Sequence, residues 1–282
     1  MPGMSTVALL GAGGKMGGRL VGNLADHADY EMLYVEPSDA GRERLAERGL
    51  STTQAGDALA VADIVILALP DTLLGAVSQE AAPQMRAGAM LVTLDPAAAH
   101  AGVLTSRPDI AMFVTHPCHP PVFNDEIGEA RRDFFGGVLA KQSIVCALMR
   151  GGEEDYARGE SLARAMYAPI LRSHRVTVEQ MAILEPAMAE TVTACCMTIV
   201  REAMDEAIRR GVPPEAARDF MLGHVNIPLA IVFGEVTSPF SDGAKLIIEH
   251  GRKMIFRDDW KRVFEPESVK EQVEAIVSGR RP

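Results

Sequence analysis

The stretch VALLGAGGKMGGRLVGNL, from Val7 to Leu24, decides the fold. Four apolar residues, Val7-Ala8-Leu9-Leu10, read as a short strand. Gly11, Gly13, Gly14, Gly17 and Gly18 follow, and the text turns helical through Arg19 to Leu24. Glycine lets a backbone turn sharply and lets a ligand come close to it. A helix that starts behind such a turn offers free N–H groups and the positive end of its dipole to a phosphate. From Gly11 the spacing reads G-x-G-x-x-x-G, ending at Gly17; through Gly14 it reads G-x-x-G-x-x-G. Neither is the G-x-G-x-x-G of dinucleotide folds, so the turn is weighed by its context.

That context is a second strand, Glu31 to Val35, ending on an acid, Glu36, before Pro37. An acid about 20 residues past the glycines is placed to accept hydrogen bonds from an adenosine ribose. It would repel a 2′-phosphate, which favours NAD over NADP. The late glycine and the downstream Arg42 and Arg44 keep NADP open.

Further along, Ala62 to Leu69 and Ala89 to Leu94 are continuous apolar runs, as strands buried on both faces should be. Both end on an acid beside a proline, Pro70-Asp71 and Asp95-Pro96. Asp71 is read either as a ligand contact at the carboxyl edge of the sheet or as the N-cap of a helix over residues 72–80. Ile110 to Thr115 is a fifth strand leading into His116, and Ser143 to Met149 a sixth. Residues 39–48 and 153–170 read as helices, and Arg175 to Val178 as a short edge strand. This alternation predicts an α/β chain with a parallel, doubly wound sheet. The texture then changes. Ala182 to Arg210 reads as one long helix stopped at Gly211-Val212-Pro213-Pro214, followed by helices over 215–233, 242–257 and 266–278. The expected organisation is a nucleotide-binding domain over 1–178 and an all-helical domain over 179–282. The apolar helices of the latter suggest burial against a partner subunit, a homodimer.

Composition narrows the function. At 282 residues there is ample material for a core. A net charge of −10 argues against nucleic acid. No apolar run reaches the length of a membrane span. The N-terminus lacks a basic segment and a cleavage site, and Cys118, Cys146, Cys195 and Cys196 lack metal-ribbon spacing, so a cytoplasmic protein with reduced thiols is expected.

Three groups of residues could do chemistry. Thr115-His116-Pro117-Cys118-His119-Pro120-Pro121 places two imidazoles and a thiol in a loop stiffened by prolines. His116, foremost, or His119 could ligate a metal or move a proton near neutral pH. Glu185-Pro186-Ala187-Met188-Ala189-Glu190 opens the long helix, with Pro186 suited to its first turn. If buried, such carboxylates need a charged partner. A metal shared with His116 would supply one, and Mg²⁺, Mn²⁺ or Zn²⁺ suits that donor set. His224 and Asn226, in an apolar run, read as a core histidine with a local partner or as a substrate contact.

On these residues the chain resembles the 6-phosphogluconate and 3-hydroxyacid dehydrogenase superfamily, in which a Rossmann domain precedes a helical domain with one long helix. It is similar in layout to ketol-acid reductoisomerase. GAGGKMG, VEP, LPDT, THPCHPP and LEPAMAET carry a closer resemblance, to the sugar-acid oxidoisomerases within that superfamily. The resemblance implies NAD-dependent oxidation of a branched sugar acid coupled to a carbon shift. It implies NAD at Gly11, Ala12, Gly13, Gly14, Lys15, Met16 and Glu36, with Asp71 near the nicotinamide, and a divalent metal near His116 and a glutamate of the long helix. Hydroxyacid dehydrogenases of the superfamily carry a lysine and an asparagine near the start of that helix. Met181 to Thr191 has neither, and has Glu185 and Glu190 instead. This departure favours an oxidoisomerase, with His116, His119 and Glu190 as candidate catalytic groups. The alternative is a metal-independent NAD(P)-dependent 3-hydroxyacid dehydrogenase.

Overall fold

The computed structural model describes residues 4–280. Among them a seven-stranded sheet runs in the order β2-β1-β3-β4-β5-β6-β7. The strands are β1 (Ser5–Leu10), β2 (Tyr30–Val35), β3 (Ile64–Leu67), β4 (Met90–Thr93), β5 (Ala111–Pro117), β6 (Gln142–Arg150) and β7 (Ile170–Arg175). The first five are parallel. β6 runs antiparallel to β5, and β7 parallel to β6. The chain leaves β1 for β2 on one side and returns to β3 on the other. That reversal opens a crevice at the carboxyl ends of β1 and β3, where ligands bind in such sheets.

The apolar runs explain the layering. Ile64, Val65, Ile66 and Leu67 are at most 1% exposed, because helices cover both faces. Each such side chain contributes about 1.5–3 kcal/mol on burial. On one face, Leu20, Val21 and Leu24 of α1 (Lys15–Leu24) and Leu162 and Met166 of α6 (Glu153–Met166) pack with Leu9 and Phe113. On the other, α3 (Ala55–Val61), α4 (Asp71–Ala81), α5 (Ala97–His100) and α7 (Val178–Ala182) supply Leu59, Leu74, Ala98 and Met181. α2 (Asp39–Ala46) follows β2 and is capped by the Ser38 side chain.

Several local expectations are corrected. The edge strand is Ile170–Arg175, not 175–178, because its ILRSHR text carries too few apolar residues to announce a strand. β5 continues through His116 and Pro117, so His116 belongs to the strand end rather than to the loop beyond it. The long helix starts earlier than expected, at Val178, where Thr177 and Gln180 form a capping box. Pro186 therefore lies inside the helix, not in its first turn. Proline lacks the N–H that an α-helix needs there, and Ile183–Ala194 is wound as a π-helix before α-geometry resumes in α8 (Cys195–Arg209). By length and composition the helix Val178–Arg209 is apolar enough to cross a membrane, and 11% of its most apolar stretch is buried. A count of uninterrupted apolar residues misses it, since Glu185 and Glu190 break the run.

The chain divides into two compact units, residues 1–186 with 269–282, and residues 187–268. The sequence boundary at 178/179 differs from this division. The helix start packs into the sheet unit through Met181 and Ala182, which are fully buried. The last helix, α11 (Pro266–Ser278), has Val269 and Val273 buried, and its C-terminal residues count with the first unit. The second unit holds the rest of the long helix, α9 (Pro214–Val232) and α10 (Asp242–Ile255).

Candidate functional site

The nucleotide crevice is built from the glycine turn. Gly11 sits at φ +81°, and a Cβ there would strike Ala68 O and lie 2.9 Å from Leu69 Cδ2. A Cβ on Gly17 would lie 2.8 Å from Ala12 Cα, so its absence lets α1 seat on the turn. Gly14 is the N-cap of α1, and a Cβ there meets nothing nearer than 3.2 Å. The working spacing is therefore Gly11, Gly13, Gly17, with the third glycine one residue later than in the usual motif. Ala12, Gly13, Gly14 and Lys15 line a cleft of about 550 Å³, with Arg44 and Arg48 on its other wall. Met16 instead lines a small cavity with Pro117 and His119. Glu36 closes the region. Its Oε2 accepts from Gly13 N–H at 3.0 Å, and its Oε1 from Ser38 N–H at 3.0 Å and Ser38 Oγ at 2.6 Å. Burial pushes the Glu36 carboxyl up, but the bonds from Ser38 and Gly13 and the charge of Arg44 outweigh it and hold the pKa below its usual value.

A second cluster gathers at the carboxyl ends of β3, β4 and β5. His116 Nδ1 lies 2.8 Å from Leu94 O, and Nε2 lies 3.4 Å from Glu185 Oε2. A carbonyl only accepts, so Nδ1 carries a proton and Nε2 of the neutral ring carries a lone pair. That lone pair faces a carboxylate. A proton on Nε2 or a cation held by both would join them. His116 and Glu185 are thus brought together as the sequence anticipated. His119 stands beside them, its ring 6.1 Å from that of His116, its Nδ1 2.8 Å from Phe135 O and its backbone at φ +60°.

Asp71 does not cap α4. Pro70 occupies the cap position, and Asp71 is the first helical residue. Its Oδ1 is buried without a hydrogen-bond partner among the described residues. Burial, and then the charge of Asp95, push the Asp71 pKa up to about 6, against smaller opposing effects of its own N–H and His116. Asp95 is the residue the sequence reading leaves out of the site. Its Oδ1 accepts from Ala97 N–H at 2.8 Å, and its Oδ2 lies 3.9 Å from His116 Nδ1. Burial raises its pKa as well. The signal was available, since the acid–proline pair after the fourth apolar run mirrors the pair after the third.

Other candidates are not gathered here. Glu190 is exposed and belongs to the second unit. Among the described residues no three His, Cys, Asp or Glu side chains form a group that could hold a metal ion. His224 is an exposed residue of α9 rather than a core histidine. It stacks on Phe220 with ring centroids 3.9 Å apart, and its Nδ1 lies 2.8 Å from Phe220 O. Asn226 is exposed too.

Comparison with known proteins adds the following. The family described as acetohydroxy acid isomeroreductase, NADPH-binding domain, matches residues 4–124, and that described as phosphogluconate dehydrogenase (decarboxylating) C-term matches residues 123–277. D-apionate oxidoisomerase of Cupriavidus necator is 53% identical over 96% of this chain and 99% of its own. D-apionate oxidoisomerase of Rhizobium rhizogenes is 50% identical over 97% of this chain and 100% of its own. A crystal structure of a semialdehyde dehydrogenase NAD-binding protein from Cupriavidus necator, in complex with calcium and NAD, superposes with a TM-score of 0.94. It is 52% identical over 96% of this chain and 99% of that one.

Proposed function

The chain belongs to the D-apionate oxidoisomerase family, and from that premise we propose that it oxidises D-apionate with NAD⁺ and rearranges the carbon skeleton, releasing 3-oxo-isoapionate. The observation that carries the reading is the contact of His116 Nε2 with Glu185 at the carboxyl edge of the sheet.

The chemistry has two parts. In the oxidation, the carbinol carbon gives a hydride to NAD⁺ and its hydroxyl gives a proton to a base. In the rearrangement, a neighbouring hydroxyl loses its proton and becomes a carbonyl. A carbon group moves with its bonding pair onto the first carbonyl carbon, whose oxygen takes up a proton. His116 Nε2 and Glu185 fit a divalent cation (Mg²⁺, Mn²⁺ or Zn²⁺) as two protein donors, with substrate oxygens and water as the remainder. When bound, such a cation would polarise adjacent oxygens of the sugar acid. The other residues have roles of their own. His119, with Nδ1 tied to Phe135 O, presents Nε2 as the base for the hydroxyl proton. Asp71, with its pKa of about 6, holds and returns a proton near neutrality. The glycine turn, Lys15 and Glu36 hold the dinucleotide.

The second reading replaces the cation by a proton on His116 Nε2. It gives a metal-independent hydroxyacid dehydrogenase, and it rests on the same 3.4 Å contact. NADH formation with D-apionate, with and without EDTA, and NMR of the product separate the two. Loss of turnover in EDTA, restored by divalent cation, with a rearranged skeleton, supports the first reading. Turnover indifferent to EDTA with an intact skeleton overturns it. Glu185→Gln should lower kcat about 100-fold or more while NAD affinity stays unchanged.

The second unit carries a further proposal. Phe220, Ile227, Phe233, Leu246, Ile247 and Met254 are each more than half exposed. We assign these exposed apolar side chains to contact with a second copy of the chain, giving a homodimer. A monomeric mass by light scattering overturns it.

A further inference from the structure

The start of α2 lies directly on the glycine turn. A Cβ on Gly13 would fall 2.5 Å from Gly41 Cα, so the two glycines meet backbone to backbone. A Cβ on Gly41 would fall 2.5 Å from Glu36 Cγ and 2.7 Å from Glu36 Oε1. The space a side chain would fill at position 41 is the space the Glu36 carboxyl occupies. Gly41 is buried, and its N–H donates to Ser38 Oγ at 3.1 Å. The single Ser38 hydroxyl proton goes to Glu36 Oε1. Glu36, Ser38 and Gly41 therefore form one interlocked unit, with Gly13 N–H as its fourth contact.

We propose that Gly41 fixes the cofactor choice of this enzyme, by leaving open the slot in which the Glu36 carboxylate is pinned toward the adenosine ribose. It is a positioning residue that acts through Glu36, and the inference rests on the dinucleotide reading of the cleft. The surrounding groups agree with it. A 2′-phosphate is held by hydroxyls and cations, and those beside Glu36 already have partners. The Ser38 hydroxyl is committed as both donor and acceptor. Arg42 bonds Pro37 O at 2.6 Å and Glu36 O at 3.3 Å and pairs with Asp39. Arg44 Nε donates to Gly13 O at 2.7 Å. A side chain at 41 would drive Glu36 from its slot, break its bonds to Gly13 and Ser38, and release that hydroxyl toward a phosphate. The sequence carries no sign of this, because a glycine in a charged surface helix reads only as a weak helix former.

The test is calorimetric binding of NAD⁺ and of NADP⁺ to the full chain, without sugar acid. It compares wild type with Gly41→Ala, Glu36→Ala and the Glu36→Ala/Gly41→Ala double variant. Gly41→Ala should weaken NAD⁺ binding about tenfold by removing charged hydrogen bonds. NADP⁺ should bind no worse, and kcat at saturating NAD⁺ should hold while KM rises. Alanine at position 36 ends at Cβ and so removes every Glu36 atom that the new Cβ would meet. Adding Gly41→Ala to Glu36→Ala should therefore cost NAD⁺ binding nothing further, although Glu36→Ala by itself weakens binding. A purely structural defect would weaken both dinucleotides alike, and its losses would add. An unchanged NAD⁺/NADP⁺ ratio in Gly41→Ala, or a double variant that binds NAD⁺ more weakly than Glu36→Ala alone, overturns the proposal. A wild-type chain that binds neither dinucleotide would remove the cofactor reading, and the inference with it.

Discussion

In the sheet unit, Val7, Ile64, Ile66 and Phe113 are at most 1% exposed, whereas in the second unit Phe220, Phe233, Leu246 and Ile247 are 68–70% exposed. Both sets are large apolar side chains at regular spacing. The strands find their cover within the chain, because a crossover helix follows most of them and lies back on one face or the other. The helices of the second unit pair with one another, chiefly α8 with α9, and leave their outer apolar rows uncovered. A long exposed apolar row is costly in water. The same composition therefore meets two fates, burial completed by folding in the sheet unit and, on our proposal, burial left for a second copy to complete in the other.

That contrast can be broken by substitution. Phe113→Ala should cost about 3–5 kcal/mol, as truncation of a fully buried aromatic does, and lower Tm at any protein concentration. Ile247→Asp should leave the sheet unit folded but shift the mass by light scattering from two chains to one, at micromolar protein. If it instead leaves mass and Tm at their wild-type values, the exposed face is not an interface and the contrast fails. The smallest effect falls between the two regions in kind, on a polar group that folding buries at a cost. Asp71 has a native pKa of about 6 against an ordinary 3.8, so the folded chain binds its proton more tightly than the unfolded chain does. Stability from this group is present below the ordinary value, is lost as pH rises toward 6, and stays lost above. Asp71→Asn should therefore match wild type at pH 4 and exceed it at pH 7.5 by about 2–4 °C in Tm, the shift that roughly 1 kcal/mol produces in a chain of this size. Identical curves at both pH values would show that Asp71 is not buried at a cost.

How legible the protein was follows from the same physics. β1, β3 and β4 were plain because strands covered on both faces must be apolar throughout. Glu36 was plain because the end of β2 and the glycine turn are fixed relative to one another by strand pairing. The pairing of His116 with Glu185 was suggested by the need of a carboxylate in an apolar helix for a partner. β7 was misplaced by a few residues, because an edge strand with an ILRSHR text has little to bury. The π-wound stretch was not legible. The sequence reads Pro186 as part of a first helical turn, whereas the capping box at Thr177 and Gln180 sets the helix start upstream of it. Asp95 carried a signal, the acid beside a proline at the end of its strand, but neither its approach to His116 nor the role of Gly41 was legible. One depends on which strand ends converge on a histidine, the other on a collision with a Cβ that the chain does not have.

His119 is held at φ +60°, in the left-handed region that costs a non-glycine residue about 1–2 kcal/mol. A variant library sorted for heat resistance and one sorted for turnover would thus disagree at this position. His119→Gly should rise in the first, since it relieves the backbone, and vanish from the second, since it removes the ring that faces His116. If the glycine variant gains no thermal stability, the strained turn is compensated by its neighbours. If it keeps its turnover, the imidazole is not the base.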